Sequence, residues 1–298
     1  MNPSIPSVRW RTLKIIGAAL LLALLSACSA IKLAYNNGHE VAWWWLTDYV
    51  DVQGEDKATL RQAVHQLHDW HRRDQLPGYV ELLRSWQGQM SAELSGEQVC
   101  RMVDDAMLRA AALSGAVQAL EPPALQVLAR LNARQIAEME RQFAKSNRKF
   151  REKYVDVTPR ELLDNRVESG MGRAERLYGS LGRVQEQALR SAMMAAPWDT
   201  REAYERRLRR QQDIVQTLRQ LTQSQANTEQ ARAALRSLLL RQIDPQEPAE
   251  RSRMLGLRQQ SCQVLAQLHA STTPAQRAKA QDTLRGYATD LASLMPVR

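Results

Sequence analysis

The sequence predicts an all-α protein, an elongated bundle of about nine to eleven helices behind a cleavable leader. Apolar residues recur at three- and four-residue spacing through nearly the whole chain. No run alternates β-branched and polar residues, and Phe occurs only twice in 298 residues, so strand signals are missing. Pro and the capping residues Ser, Thr and Asp stand where helical patterns begin.

Residues 1–27 have the layout of an export leader. Arg9, Arg11 and Lys14 precede Ile15–Leu25, an apolar run of 11 residues, against the roughly 20 a membrane-spanning helix needs. Leu25-Ser26-Ala27-Cys28 then resembles a bacterial lipobox. It implies a diacylglycerol and an N-acyl chain (palmitate or a similar fatty acid) on Cys28, and stable anchoring. The other reading is an ordinary signal peptide followed by a chance cysteine. Ser29 is not the Asp that retains such lipoproteins at the inner membrane, which favours the periplasmic face of the outer membrane. Three basic and no acidic residues leave with the leader, so the net charge falls from +9 to +6. That surplus suits either solubility or anionic envelope surfaces, and the compartment argues against nucleic acid.

The remaining chain divides into a lipidated tether at 28–38, a main helical domain at 39–243 and a C-terminal helical hairpin at 244–298 packed on it. Residues 39–50 predict a short helix. Its Trp43, Trp44 and Trp45 point about 100° apart, so two are expected in the core and one at another helix or the membrane interface. Residues 54–75 form the next helix, with Leu60, Val64, Leu67, His71 and Asp74 on one stripe. Leu76-Pro77 is expected to stop it and to start another that runs to about residue 93. Ser95 and Gln98 make a capping box for a helix to about Leu120. Pro122-Pro123 opens the longest predicted helix, to about Lys153, with Leu125, Ala129, Asn132, Ile136, Met139, Phe143, Ser146 and Phe150 on a heptad seam.

Thr158 or Asp156 caps the next helix, and the glycines at 170, 172, 179 and 182 predict a bend or break before Pro197. Residues 199–223 are rich in arginine and predict a solvated face. The last helices are expected at 228–242, 248–270 and 274–294, with a boundary at the Asp244–Pro248 loop. Tyr-Val-Asp-Val occurs at 49–52 and again at 154–157, the trace of a duplicated unit or a chance recurrence.

Chemistry-bearing residues are few. Cys100 and Cys262 are the two cysteines left after lipidation. They form either a disulfide in an oxidising compartment or two buried thiols on apolar helix faces. His65, His68 and His71 are weak metal candidates, because all three on one helix cannot share an ion without a ligand from elsewhere. The bland alternative makes His71 a core histidine and the others surface residues. A polar set, Asn147, Tyr154, Arg166, Arg173, Glu175, Arg176 and Tyr178, forms either an anion-binding groove or an interhelical salt-bridge lattice. His71 and Arg72 are grouped with it as groove candidates. Phosphate loops, zinc-protease pairs and nucleophile elbows are absent from the sequence.

The lipobox, Leu33-Ala34-Tyr35-Asn36-Asn37, Trp44-Trp45-Leu46, Asp48-Tyr49, Trp70-His71-Arg72 and Leu76-Pro77-Gly78-Tyr79 together resemble an uncharacterised Gram-negative outer-membrane lipoprotein family with a domain of unknown function. The likeness continues through Asn132-Ala133-Arg134-Gln135, Asn147, Tyr154 and Arg173–Gly179 to about Leu221. Tyr178, where Trp is expected, and Gly54 at a helix start depart from the pattern. The resemblance implies an envelope lipoprotein and supplies no catalytic residues. Leu94-Ser95-Gly96-Glu97-Gln98 and Leu221–Gln225 are similar to the Leu-Thr-x-x-Gln signatures of small helical periplasmic chaperones related to spheroplast protein Y.

These readings point to binding rather than catalysis. The leading expectation is an adaptor or assembly factor with an envelope protein partner, and no cofactor beyond the acyl chains. A chaperone-like holdase and a metal-dependent enzyme built on the histidine helix are the alternatives.

Overall fold

A computed structural model describes residues 30–245 and 247–296; Cys28 and the leader lie outside them. The described residues form helices and their connections, with no strand among them. In chain order these are α1 (Ala30–Asn36), α2 (Gly38–Tyr49), α3 (Gly54–Trp70), α4 (Leu76–Gln89), α5 (Gly96–Ala112), α6 (Ala116–Ala119) and α7 (Pro122–Ala129). They continue as α8 (Ala133–Tyr154), α9 (Pro159–Tyr178), α10 (Arg183–Ala195), α11 (Thr200–Gln223), α12 (Thr228–Ile243), α13 (Pro248–Ala270) and α14 (Pro274–Leu294).

Two hydrophobic cores organise these helices, and the chain alternates between them. The first gathers Trp43, Leu60, Leu125, Ile136, Leu218 and Leu235, from α2, α3, α7, α8, α11 and α12. The second gathers Met90, Met102, Val167, Leu189, Val264 and Leu284, from the end of α4 and from α5, α9, α10, α13 and α14. Each core is therefore built from three separate passages of the chain. The C-terminal helices follow this rule rather than pairing as a hairpin: α14 lies along α4 and α9, and α13 lies along α5 and α10.

Capping residues set most boundaries. Ser95, Asn132, Thr158, Asn227 and Thr273 each accept from a backbone N–H three residues on, and the residue there returns the bond to the cap's own N–H. The expected break within the glycine-rich region falls between α9 and α10. Gly179 there has φ +74°, a left-handed conformation that ends α9 without a Cβ penalty.

Four expectations need correction. The 28–38 tether is helical over Ala30–Asn36, and α1 packs against α14. Pro77 does not stop its helix. Residues His71–Gln75 form a π turn in which Leu76 N–H bonds His71 O, five residues back. That wider turn absorbs the N–H that Pro77 lacks and the crowding of its ring, so α3 runs into α4 without a break. The long 122–153 helix is interrupted at Arg130–Asn132. Asn132 sits in no heptad seam; its exchange of bonds with Gln135, at 3.0 and 2.9 Å, offers the chain a helix start there. Only one of the three tryptophans enters the core: Trp43 is buried, whereas Trp44 and Trp45 are 65% and 57% exposed.

Both Tyr-Val-Asp-Val strings end a helix, with Tyr49 and Tyr154 as last helical residues. Their environments differ: Val50 and Val52 are buried, whereas Val155 and Val157 are half-buried.

Candidate functional site

The second core does not close over itself. A groove of about 890 Å³ opens in it between α4, α5, α9, α10 and α13. Its walls include Trp86, Met90, Met102, Leu189, Met193 and Val264, and Phe150, Tyr154 and Trp198 form an aromatic group that also lines it. The tight approach of α9 and α10 depends on Gly170, where a Cβ would lie 2.8 Å from Leu189 and 2.9 Å from Met193. The volume lies within the range of small-molecule pockets, about 300–1,000 Å³.

Two cations line this apolar space. Arg166, half-buried on α9, donates Nη1 to Met193 O at 3.2 Å and Nη2 to Ala196 O at 3.1 Å. Those carbonyls lie at the C-terminal end of α10, where a cation complements the helix dipole. Burial lowers the Arg166 pKa from its ordinary value, as expected for a cation withdrawn from water. Arg173, two turns further along α9, is exposed and also lines the groove. Neither has a carboxylate within salt-bridge distance among the described residues. The indole N–H of Trp86 is shielded from solvent and has no partner among them.

In the groove wall, Tyr178 and His269 form a buried pair, with Tyr178 Oη 2.8 Å from His269 Nδ1. His269 Nε2 lies 2.8 Å from Ala92 O. A ring nitrogen facing a carbonyl carries the proton, so Nδ1 accepts and the tyrosine donates. Burial pushes the Tyr178 phenol up to about 12 and lowers the His269 pKa; both groups are held neutral. Cys100 and Cys262 form a disulfide with Cα atoms 5.2 Å apart, tying α5 to α13 across 162 residues.

The structure divides the sequence-predicted polar set. Tyr154, Arg173 and Tyr178 line the groove. Glu175 and Arg176 are exposed on α9 and do not line it. Asn147 is buried in a clamp between α8 and α11: it exchanges bonds with Gln211 and accepts Arg207 Nε at 2.7 Å, while Arg207 Nη2 donates to Ser146. Arg207 also lies 5.6 Å from the Phe150 ring centroid. The arginine-rich α11 thus does not present a purely solvated face: Arg206, Arg207 and Arg210 are all half-buried.

His71 and Arg72 belong elsewhere, with Tyr35 and Asn36 of α1. Tyr35 Oη is 2.9 Å from His71 Nδ1, His68 Nε2 is 2.9 Å from Tyr35 O, and Arg72 donates to Asn36. His71 is half-buried rather than a core residue. Burial lowers the pKa of both His68 and His71. The trio His65, His68 and His71 therefore shares no site, because two members are bonded to Tyr35. Among the described residues, the grouping close enough to hold a metal ion is His39, Glu40 and His65, whose ligand atoms lie within 4.8 Å of one another. Arg61 already holds Glu40 through both carboxylate oxygens, at 2.9 and 3.0 Å.

Arg166, a member of the predicted polar set, lines the groove with Tyr154, Arg173 and Tyr178. Sequence reasoning missed Trp86, Trp198, His39 and His269 as site residues. The fifth histidine, His269, stood alone in a helix whose partners are distant in sequence.

A family model described as a family of unknown function (DUF6279) matches residues 48–244. No curated protein and no solved structure matches the chain. The matched region ends before α13 and α14, so the groove wall that carries Val264 and His269 lies beyond it.

Proposed function

We propose, for a chain that belongs to the DUF6279 family of unknown function, a binding role in the bacterial envelope. It is a lipid-anchored protein of the outer membrane, facing the periplasm, that holds an apolar guest in the groove of its second core. The observation that carries this reading is the groove itself: about 890 Å³ of space lined by aromatic, Met and Leu side chains with a half-buried guanidinium among them. Pockets of this make-up are the usual place for ligands.

Three features support the envelope setting. The lipobox resemblance of Leu25-Ser26-Ala27-Cys28 supports an acyl anchor on Cys28. The Cys100–Cys262 disulfide suits an oxidising compartment. Leu33, Val41, Trp44 and Trp45 are exposed on α1 and α2, the first helices after that cysteine, and Trp is favoured at bilayer headgroups. No helix among the described residues is long and apolar enough to cross a membrane.

An environment-sensitive apolar dye tests the reading. Its fluorescence is expected to rise on the purified protein and to fall when Ser261→Trp fills the groove lip. Equal fluorescence from both proteins would count against the groove as the binding site.

A further inference from the structure

We infer that the guest is a single-chain anionic amphiphile, an acyl chain with one carboxylate or phosphate head, held with the head at Arg166 and Arg173. The inference rests on the groove reading and adds the chemical class of the ligand.

Shape argues first. A helix with side chains is about 10 Å across and rises 5.4 Å per turn, so the groove has room for roughly two turns. That falls short of the roughly 20 residues a side in a stable protein–protein interface. Polarity argues next. The groove is walled mostly by helices, whose backbone N–H and C=O groups are largely spent internally, and its lining is mainly Trp, Met, Leu, Val and Phe. An extended peptide there would bring backbone groups with few partners, each costly to desolvate. An acyl chain brings none.

Charge selects the head. Arg166 uses two of its five N–H groups on carbonyls of α10. The others have no acidic partner among the described residues, and the same holds for Arg173. A cation partly withdrawn from water and lacking a counter-ion is completed by an anion, and guanidinium matches carboxylate and phosphate geometry.

The test uses the mature chain, residues 28–298, with Cys28→Ser so that it carries no acyl group of its own. Palmitate, lyso-phosphatidylglycerol, hexadecanol and an amphipathic helical peptide are each titrated against the groove-bound dye. The two anionic amphiphiles are expected to displace it, with the better one identifying the head, and hexadecanol to bind at least tenfold more weakly. Arg173→Met is expected to weaken the anionic ligands about tenfold and leave hexadecanol unchanged. Arg166→Met is expected to do the same, and circular dichroism separates that from damage to the α10 terminus; if that variant misfolds, the exposed Arg173 decides between the outcomes. Equal displacement by hexadecanol, unaffected by either arginine, would overturn the anionic head while leaving the groove reading intact. Displacement by the peptide alone would overturn the lipid class. Dye binding insensitive to Ser261→Trp would sink the groove reading itself.

Discussion

The two cores are built alike and finished differently. Each takes one helix pair from each of three chain passages, and each contains a capping glutamine that joins a helix start to a distant turn. Gln135 accepts from Asn132 N–H and donates to Asp51 O at 2.7 Å; Gln185 accepts from Gly182 N–H and donates to Ser271 O at 2.7 Å. Yet the first core encloses Leu125 completely, whereas the second opens into the groove, buries the Tyr178–His269 pair and carries the disulfide. One architecture thus serves two ends. A closed core supplies stability from packing, and an open one trades packing for space and draws on a covalent tie.

If that contrast is right, the disulfide should matter most. Replacing Cys100 and Cys262 together by Ala and Ser is expected to cost about 4–5 kcal/mol on the chain-entropy model, read by denaturant titration. A loss near zero would remove the covalent tie from the comparison. Leu125→Ala in the closed core is expected to cost about 3–5 kcal/mol, and Leu189→Ala, on the groove wall, about 2 kcal/mol, since an open side leaves a smaller new cavity. Equal costs would show that the second core packs as tightly as the first.

The capping glutamines sharpen the comparison at a finer level. Gln185 is buried and Gln135 half-exposed. Gln185→Ala is therefore expected to cost about 2–3 kcal/mol and Gln135→Ala about 1 kcal/mol, because water can reach the groups orphaned by the second. Thermal melts of the two variants check the order.

The smallest effects concern pH. The folded pKa values of His68, His71 and His269 lie below the ordinary histidine value of about 6.5. The unfolded chain thus binds protons first, so their contribution is fully present above pH 6.5 and is lost as pH falls through the lower folded values. Tyr178 has the opposite pattern. Its phenol stays protonated in the fold to about 12 against 10 unfolded, so stability falls as pH rises from 10 towards 12. Denaturation midpoints at pH 5 and 7 should differ less in His269→Gln than in the parent chain. An unchanged difference would assign the acid sensitivity to the Tyr35 cluster around His68 and His71.

Much of the helix inventory was legible in the sequence. Ser95, Thr158, Asp199 and Thr273 signal helix starts through bonds only three residues long. The last three helices fall within a residue of their expected limits, and the break among the glycines came at Gly179. Where the expectations failed, two local signals competed. Pro77 reads as a stop, but a π turn one step earlier accommodates it. The seam from Leu125 to Phe150 reads as continuous, but Asn132 and Gln135 restart the helix. The histidine trio misled because the spacing along one helix says nothing about Tyr35, which claims two of the three.

The sequence by itself determined the all-α class and most helix limits, since these rest on periodicity and on bonds within a few residues. Tertiary structure alone decided which faces meet. Trp86, Arg166, Leu189 and Val264 come from three passages of the chain, and each has an ordinary neighbourhood in sequence. Only their packing leaves a space between them and, among the described residues, a guanidinium without a counter-ion. The groove is a property of how five helices fail to close, and no short stretch of residues encodes it.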